Sequence, residues 1–179
     1  MLRRILGGAT AALFVLALGA APALAGHAGA KPGTSTIVGI VLANDGEFDV
    51  LQAAVVEAGL VDALNGTDQY TVFAPTDAAF VSTFRSLLND SSITEADVTS
   101  FINAGGVDTA FGDGALADIL LFHVTNGRRT STSVLAAPRY QMLDGKTLTR
   151  GDLVSAGIAA VDISASNGVI HVINHVLLP

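Results

Sequence analysis

Histidine offers this chain of 179 residues its most versatile chemistry, and there are four: His27, His123, His171 and His175. Imidazole is a common general base and metal ligand near neutral pH. His171 and His175 are four apart, the spacing that places two ligands on one helix face. Their surroundings, Val169 to Val176, read as a strand instead. On a strand the two rings would stand about 13 Å apart, too far for one ion, so no metal site is expected. His123 ends an apolar run, and two readings of it stay open. It is a partly buried ring with hydrogen-bonded nitrogens, or a pH-responsive or partner-contacting group.

Other catalytic patterns are missing from the sequence. There is no Cys, which excludes thiol nucleophiles, disulfides and Cys-based zinc or iron–sulfur sites. No Ser sits in a G-x-S-x-G elbow and no Lys in a phosphate-binding loop. The 16 acidic residues are scattered, with none of the paired framing of a glycosidase cleft, and read as a solvated surface. Arg128-Arg129 is the one basic pair after the N-terminal region. It reads as loop solvation first and a contact for an anionic partner second. The expectation is a protein that is not an enzyme and holds no cofactor. Asn65-Gly66-Thr67 and Asn89-Asp90-Ser91 match the glycosylation triplet, but the Ala/Gly-rich, bacterial-looking composition argues against modification.

The N-terminus sets the compartment. Met1-Leu2-Arg3-Arg4 is basic, Ile5 to Ala20 is apolar, and Ala23-Leu24-Ala25 supplies the small-residue pattern of a secretory cleavage site. Cleavage is expected between Ala25 and Gly26, giving a secreted or periplasmic chain with no stable membrane span. Formal net charge is −7, and loss of Arg3 and Arg4 takes it to −9. That acidity argues against nucleic acid as a partner. About 154 residues remain, enough to bury a full core.

The elements that must carry these residues are as follows. Residues 26–35 read as a flexible leader. Thr36 caps a helix through Ile37 to Leu42, and a second helix covers Phe48 to Glu57. Tyr70 to Ala74 is a buried strand that Pro75 ends. Thr76 or Asp77 then caps a helix through Phe80 and Phe84 to Leu88. Glu95 to Ala104 and Leu116 to His123 are further helices, with Gly112-Asp113-Gly114 a loop between them. After Gly127 the pattern turns to strands. Arg139–Leu143 and Lys146–Arg150 flank Asp144-Gly145, and Ile158–Ala165 and Val169–Val176 flank Ser166-Asn167-Gly168, two hairpins. The class is α+β.

Three segments carry a family resemblance. They are Tyr70-Thr71-Val72-Phe73-Ala74-Pro75-Thr76-Asp77-Ala78-Ala79-Phe80, Leu120-Leu121-Phe122-His123-Val124, and Asn167-Gly168-Val169-Ile170-His171-Val172-Ile173-Asn174-His175-Val176-Leu177-Leu178-Pro179. Together they resemble the fasciclin (FAS1) domain family over 36–179. Phe122-His123 stands where the family typically has Tyr-His. The resemblance implies a wedge-shaped β-sandwich with helices packed along one side. It also implies a non-enzymatic extracellular module that binds cell-surface, matrix or envelope macromolecules. The alternative is a carrier of an apolar small molecule, such as a carotenoid or lipid, since some members bind carotenoids. The motif positions are Thr71, Phe73, Ala74, Pro75, Thr76, Asp77, Phe80, His123, Gly168, His171, Asn174, Leu177 and Pro179. They are expected to be mainly structural, with partner contact the second reading. The stretch from Asn89 to Gly114 is longer than the family usually has.

Overall fold

The computed structural model describes residues 33–43 and 46–179. The expected export signal and cleavage site, Ala25 and Gly26, lie outside them.

Two strands organise the molecule. β1 (Tyr70–Pro75) and β6 (Gly168–Ile173) come from the first and last motifs and pair in parallel, from Tyr70 opposite Gly168 to Pro75 opposite Ile173. Both are buried on both faces, which explains their near-continuous apolar runs. β2 (Val124–Asn126) adds antiparallel to β1, and β5 (Ile158–Ala165) adds antiparallel to β6, for the order β2-β1-β6-β5. Gly168 sits where β6 enters the sheet. A Cβ there would overlap the Tyr70 carbonyl oxygen and come within 2.6 Å of Ile37 Cδ1, so only glycine lets the two motifs meet.

On one face of this sheet lies the larger core. It collects Val72, Ala74, Ile170 and Val172 with side chains of α1 (Ile37–Val41), α2 (Asp49–Glu57), α3 (Val61–Leu64), α4 (Asp77–Leu88), α5 (Glu95–Asn103), α6 (Gly106–Phe111) and α7 (Ala115–Leu121). Thr36, Thr76 and Thr94 cap α1, α4 and α5 through their side-chain oxygens. Each satisfies one of the otherwise orphaned first-turn N–H groups. On the other face Phe73 and Ile173 pack with Tyr140 and Leu148 of a second sheet, β3 (Arg139–Gln141) and β4 (Thr147–Thr149). α8 (Ser131–Ala136) contributes Val134 to this smaller core, and α9 (Arg150–Ala156) contributes Leu153.

Several sequence expectations are corrected. α3, β2, α6, α8 and α9 are additional elements. The apolar helix ends at Leu121, so His123 follows it and precedes β2. β6 ends at Ile173 instead of running to Val176, because the Asn174 N–H turns to the carbonyls of Ala156 (3.1 Å) and Gly157 (2.8 Å). His171 and His175 therefore do not share a strand. Leader residues Gly33–Ser35 lie against the end of β5, where Ser166 N–H donates to the Ser35 carbonyl at 2.8 Å.

Candidate functional site

The motif side chains converge on backbone groups. His123 is 2% exposed. Its Nδ1 donates to the Ile119 carbonyl at 2.8 Å, and its Nε2 accepts from Leu177 N–H at 2.9 Å. These partners fix the neutral tautomer, and burial pushes the imidazole pKa down from 6.5 to about 4. One ring thus clamps α7 to the C-terminal segment.

His171 is the complementary case. Its Nε2 donates to the Arg129 carbonyl at 3.0 Å and its Nδ1 accepts from Asp162 N–H at 3.3 Å. The ring stacks on Phe73 at 5.8 Å. Burial again lowers its pKa, against smaller opposing contributions from the Arg129 hydrogen bond and the Asp162 charge. Asp162 occupies a bulge in β5, where the register with β6 shifts and φ is +59°. The carboxylate accepts from Ser131 N–H (2.8 Å) and Ser131 Oγ (2.6 Å). It caps α8 from across the sheet, since Thr130 makes no capping bond of its own. His175 is exposed and bonds the Ala156 carbonyl through Nδ1.

Thr71 Oγ1 donates to the Gly127 carbonyl (2.7 Å) and accepts from Arg129 N–H (2.9 Å), holding the loop after β2. Arg128 reaches back to the Ala165 carbonyl and to Ser164, and Arg129 lies over the Tyr140 ring at 5.7 Å. The basic pair is therefore bound into the fold, contrary to loop solvation. Asp77 opens α4 and also caps α2, accepting from Asp49 N–H (3.1 Å) and Val50 N–H (2.8 Å). Ala74, Pro75 and Phe80 are buried, Leu177 belongs to the smaller core, and Asn174 and Pro179 are exposed.

Sequence reasoning passed over Asn167, treating it as a turn residue. It is buried and accepts from Ile37 N–H at 2.8 Å. Its amide donates to the carbonyls of Leu64 (2.8 Å) and Gly66 (3.0 Å). A polar residue inside an apolar motif beside glycine was the available signal.

Asp49, Asp77 and Glu95 bring carboxylate oxygens within 4.8 Å of one another, the one acidic trio among the described residues that could gather a cation. Each also stands in the first turn of a helix, where the positive end of the dipole favours a carboxylate without any ion. The Glu95 pKa is raised by burial first, then by the Asp77 and Asp49 charges.

The remaining feature is apolar. A groove of about 330 Å³ opens between α4, α5, α6, α7 and the C-terminal segment. Phe80, Ile102, Val107 and Leu116 are its buried lining, while Leu87, Phe111 and Leu178 line it from exposed positions. Two of its helices, α5 and α6, lie in the long stretch from Asn89 to Gly114.

A family model described as the fasciclin domain matches residues 46–179. The chain is 34% identical over 146 residues to transforming growth factor-beta-induced protein ig-h3 of Sus scrofa, covering 78% of this chain and 19% of that one. It is 33% identical over 153 residues to protein sll1483 of Synechocystis, covering 80% of this chain and 73% of that protein. Immunogenic protein MPB70 of Mycobacterium bovis is 31% identical over 177 residues, covering 88% and 81%. Among solved structures, the FAS1 domain pair of the insect cell adhesion molecule fasciclin I aligns with a TM-score of 0.51 and 17% identity. That alignment covers 81% of this chain and 51% of that one. The chain thus spans about a fifth of ig-h3 and half of the solved pair.

Proposed function

This chain belongs to the fasciclin domain family, and from that premise we propose a non-enzymatic, extracellular binding module for cell-surface, matrix or envelope macromolecules. One observation carries the reading. The motif groups best suited to chemistry, His123, His171, Thr71 and Asp77, are engaged with backbone partners inside the fold. A side chain saturated in this way holds elements together and is not poised to attack or relay protons. Recognition then falls to the exterior, which is acidic and interrupted by exposed apolar side chains. The basic, apolar and small-residue order of the first 25 residues supports export. No helix among the described residues is long and apolar enough to cross a membrane.

Capture tests this directly. The natively exported protein, used as bait on intact envelope and matrix fractions, should retain a saturable macromolecular partner. Turnover in a broad ester, glycoside and peptide screen would overturn the non-enzymatic reading. Absence of any retained cell, matrix or envelope component would overturn the adhesive one.

A second reading, carriage of an apolar small molecule such as a carotenoid or lipid, is favoured by the groove beside α6. Its volume falls at the low end of the ~300–1,000 Å³ usual for small-molecule sites.

A further inference from the structure

Charge is unevenly divided along this chain. Residues 46–123, which supply α2 to α7 and β1, carry twelve carboxylates and one arginine. Residues 124–179 carry three carboxylates against four arginines and one lysine, and no acidic residue falls between Asp118 and Asp144. α2 to α7 pack on one face of the main sheet, and β3, β4, α8 and α9 on the other. The division along the sequence is therefore a division between two sides of the molecule.

Most charges of the second side are already engaged. Asp144 pairs with Lys146 at 3.8 Å, Asp162 caps α8, Asp152 completes the capping box of α9, and Arg128 is bonded to Ala165 and Ser164. Arg139 and Arg150 are exposed, and neither is paired with a carboxylate among the described residues. The two are neighbours. Arg139 pairs across the hairpin with Thr149, and Arg150 N–H donates to the Pro138 carbonyl at 3.0 Å. The Arg150 guanidinium donates to the Leu135 carbonyl at 3.4 Å.

Aliphatic groups surround them. Leu135 is 44% exposed and Val154 61%, and Ala136 and Pro138 are exposed as well. Val154 lies four residues after Arg150 on α9, on the same helix face. Asp152 stands about 200° round that helix from Arg150 and lines, with His175, a separate hollow.

A corner with unpaired guanidinium groups and exposed aliphatic side chains suits a partner of both characters. A soluble polyanion matches the charge and leaves Leu135 and Val154 in water. A bilayer interface rich in anionic lipid matches both, with phosphates at the surface and hydrocarbon beneath them. The acidity of the whole chain does not prevent this contact. The acidic helices lie beyond the main sheet, at least one layer spacing of about 10 Å away. Exposed charges farther apart than a Debye length of about 8 Å are largely screened.

We propose that the corner formed by Leu135, Pro138, Arg139, Arg150 and Val154 docks on the surface of an anionic lipid bilayer. The contact is peripheral, with the guanidinium groups on lipid phosphates and the aliphatic side chains in the interface. The acidic helical side then faces away from the membrane. A lipid partner goes beyond the macromolecular binding proposed above, and vesicles contain no macromolecule, so either reading can fail without the other.

The test is sedimentation of the full exported chain with vesicles of phosphatidylglycerol and phosphatidylcholine in varied ratio. Retention should climb with the phosphatidylglycerol fraction, be about tenfold weaker on pure phosphatidylcholine, and fall as salt rises. Arg139→Gln and Arg150→Gln should each weaken partition about fivefold, with thermal unfolding unchanged. Leu135→Ser combined with Val154→Ser should weaken it about tenfold at the same charge. Lys146→Gln removes an equal charge near the turn of the hairpin, and should change partition by less than about twofold.

Equal retention on both lipids would overturn the proposal. A loss with Lys146→Gln as large as with Arg139→Gln would mean unspecific charge attraction and overturn the corner as the site. No sedimented protein would overturn the proposal outright. Binding to dextran sulfate that needs Arg139 and Arg150, with vesicle retention indifferent to the two serine substitutions, would assign the corner to soluble polyanions and overturn the lipid partner.

Discussion

At the scale of single residues, the polar side chains of this protein act as fasteners. His123 is the sharpest case. Its two ring nitrogens have one donor role and one acceptor role, and protonation would force a second N–H against Leu177 N–H. The folded pKa of about 4 lies below the unfolded value of 6.5, so the unfolded state takes up the proton first as pH falls. Stability is therefore lost between about pH 6.5 and pH 4, by roughly 3 kcal/mol for this one group. His171 shifts in the same direction. His123→Gln lowers stability at pH 7 but cannot titrate, so its gap from the parent should narrow as pH drops to 4. Urea unfolding at pH 7, 5.5 and 4 checks this, and a constant gap would refute it. Asp77 makes a separate prediction. Asp77→Ala removes two bonds at the start of α2 and should cost about 2 kcal/mol in the same assay. Asp77→Asn keeps one acceptor and should recover about half of that loss.

At the scale of elements, the decisive residue is Asn167, which ties α1 and the end of α3 to the start of β6. Asn167→Ala leaves two buried backbone groups, the Ile37 N–H and the Leu64 carbonyl, without partners, frees the part-buried Gly66 carbonyl, and should cost about 3 kcal/mol. Hydrogen exchange at the Ile37 amide should accelerate well beyond the global change, and an unchanged Ile37 would count against the tie. Elements whose signals are local were readable from sequence. Thr36, Thr76 and Thr94 announce α1, α4 and α5 through caps within three residues, and Asp144-Gly145 marks the β3–β4 turn. Elements made by distant partners were not. β2 is three residues long and exists because it pairs with β1. α8 borrows its cap from Asp162, 31 residues away. α6 opens at Gly105 in a left-handed conformation, so a glycine pair that reads as a break is a start. α9 is different, because Thr149 and Asp152 form a complete capping box. That signal was present in the sequence and was absorbed into a strand. Much the same holds for the sites. The motif positions were visible as a pattern, but the groove joins side chains from residue 80 to residue 179 and has no sequence signature.

At the scale of the whole molecule, two cores lie on opposite faces of one sheet, which raises the question of whether they melt together. β1 gives Val72 and Ala74 to the larger core and Phe73 to the smaller, and β6 gives Ile170 and Val172 to one and Ile173 to the other. Neither core can be dismantled without stripping a face from both central strands, and His123 and Leu177 bridge the two sides again. The two cores should therefore unfold as one cooperative unit. The chain has no Trp and two Tyr, Tyr70 and Tyr140, so on a Tyr70→Phe background fluorescence reports Tyr140 in the smaller core alone. Far-UV circular dichroism reports mostly the helices of the larger core. The two denaturation curves should superimpose. Ile102→Val in the larger core and Ile173→Val in the smaller should each cost about 1 kcal/mol. The double variant should cost their sum within about 0.5 kcal/mol, because no shared cavity couples them. An earlier fluorescence transition would instead mean that the β3–β4 layer can open alone. In that case the Leu177 clamp, and with it the C-terminal wall of the groove, would be a separately mobile part of the molecule.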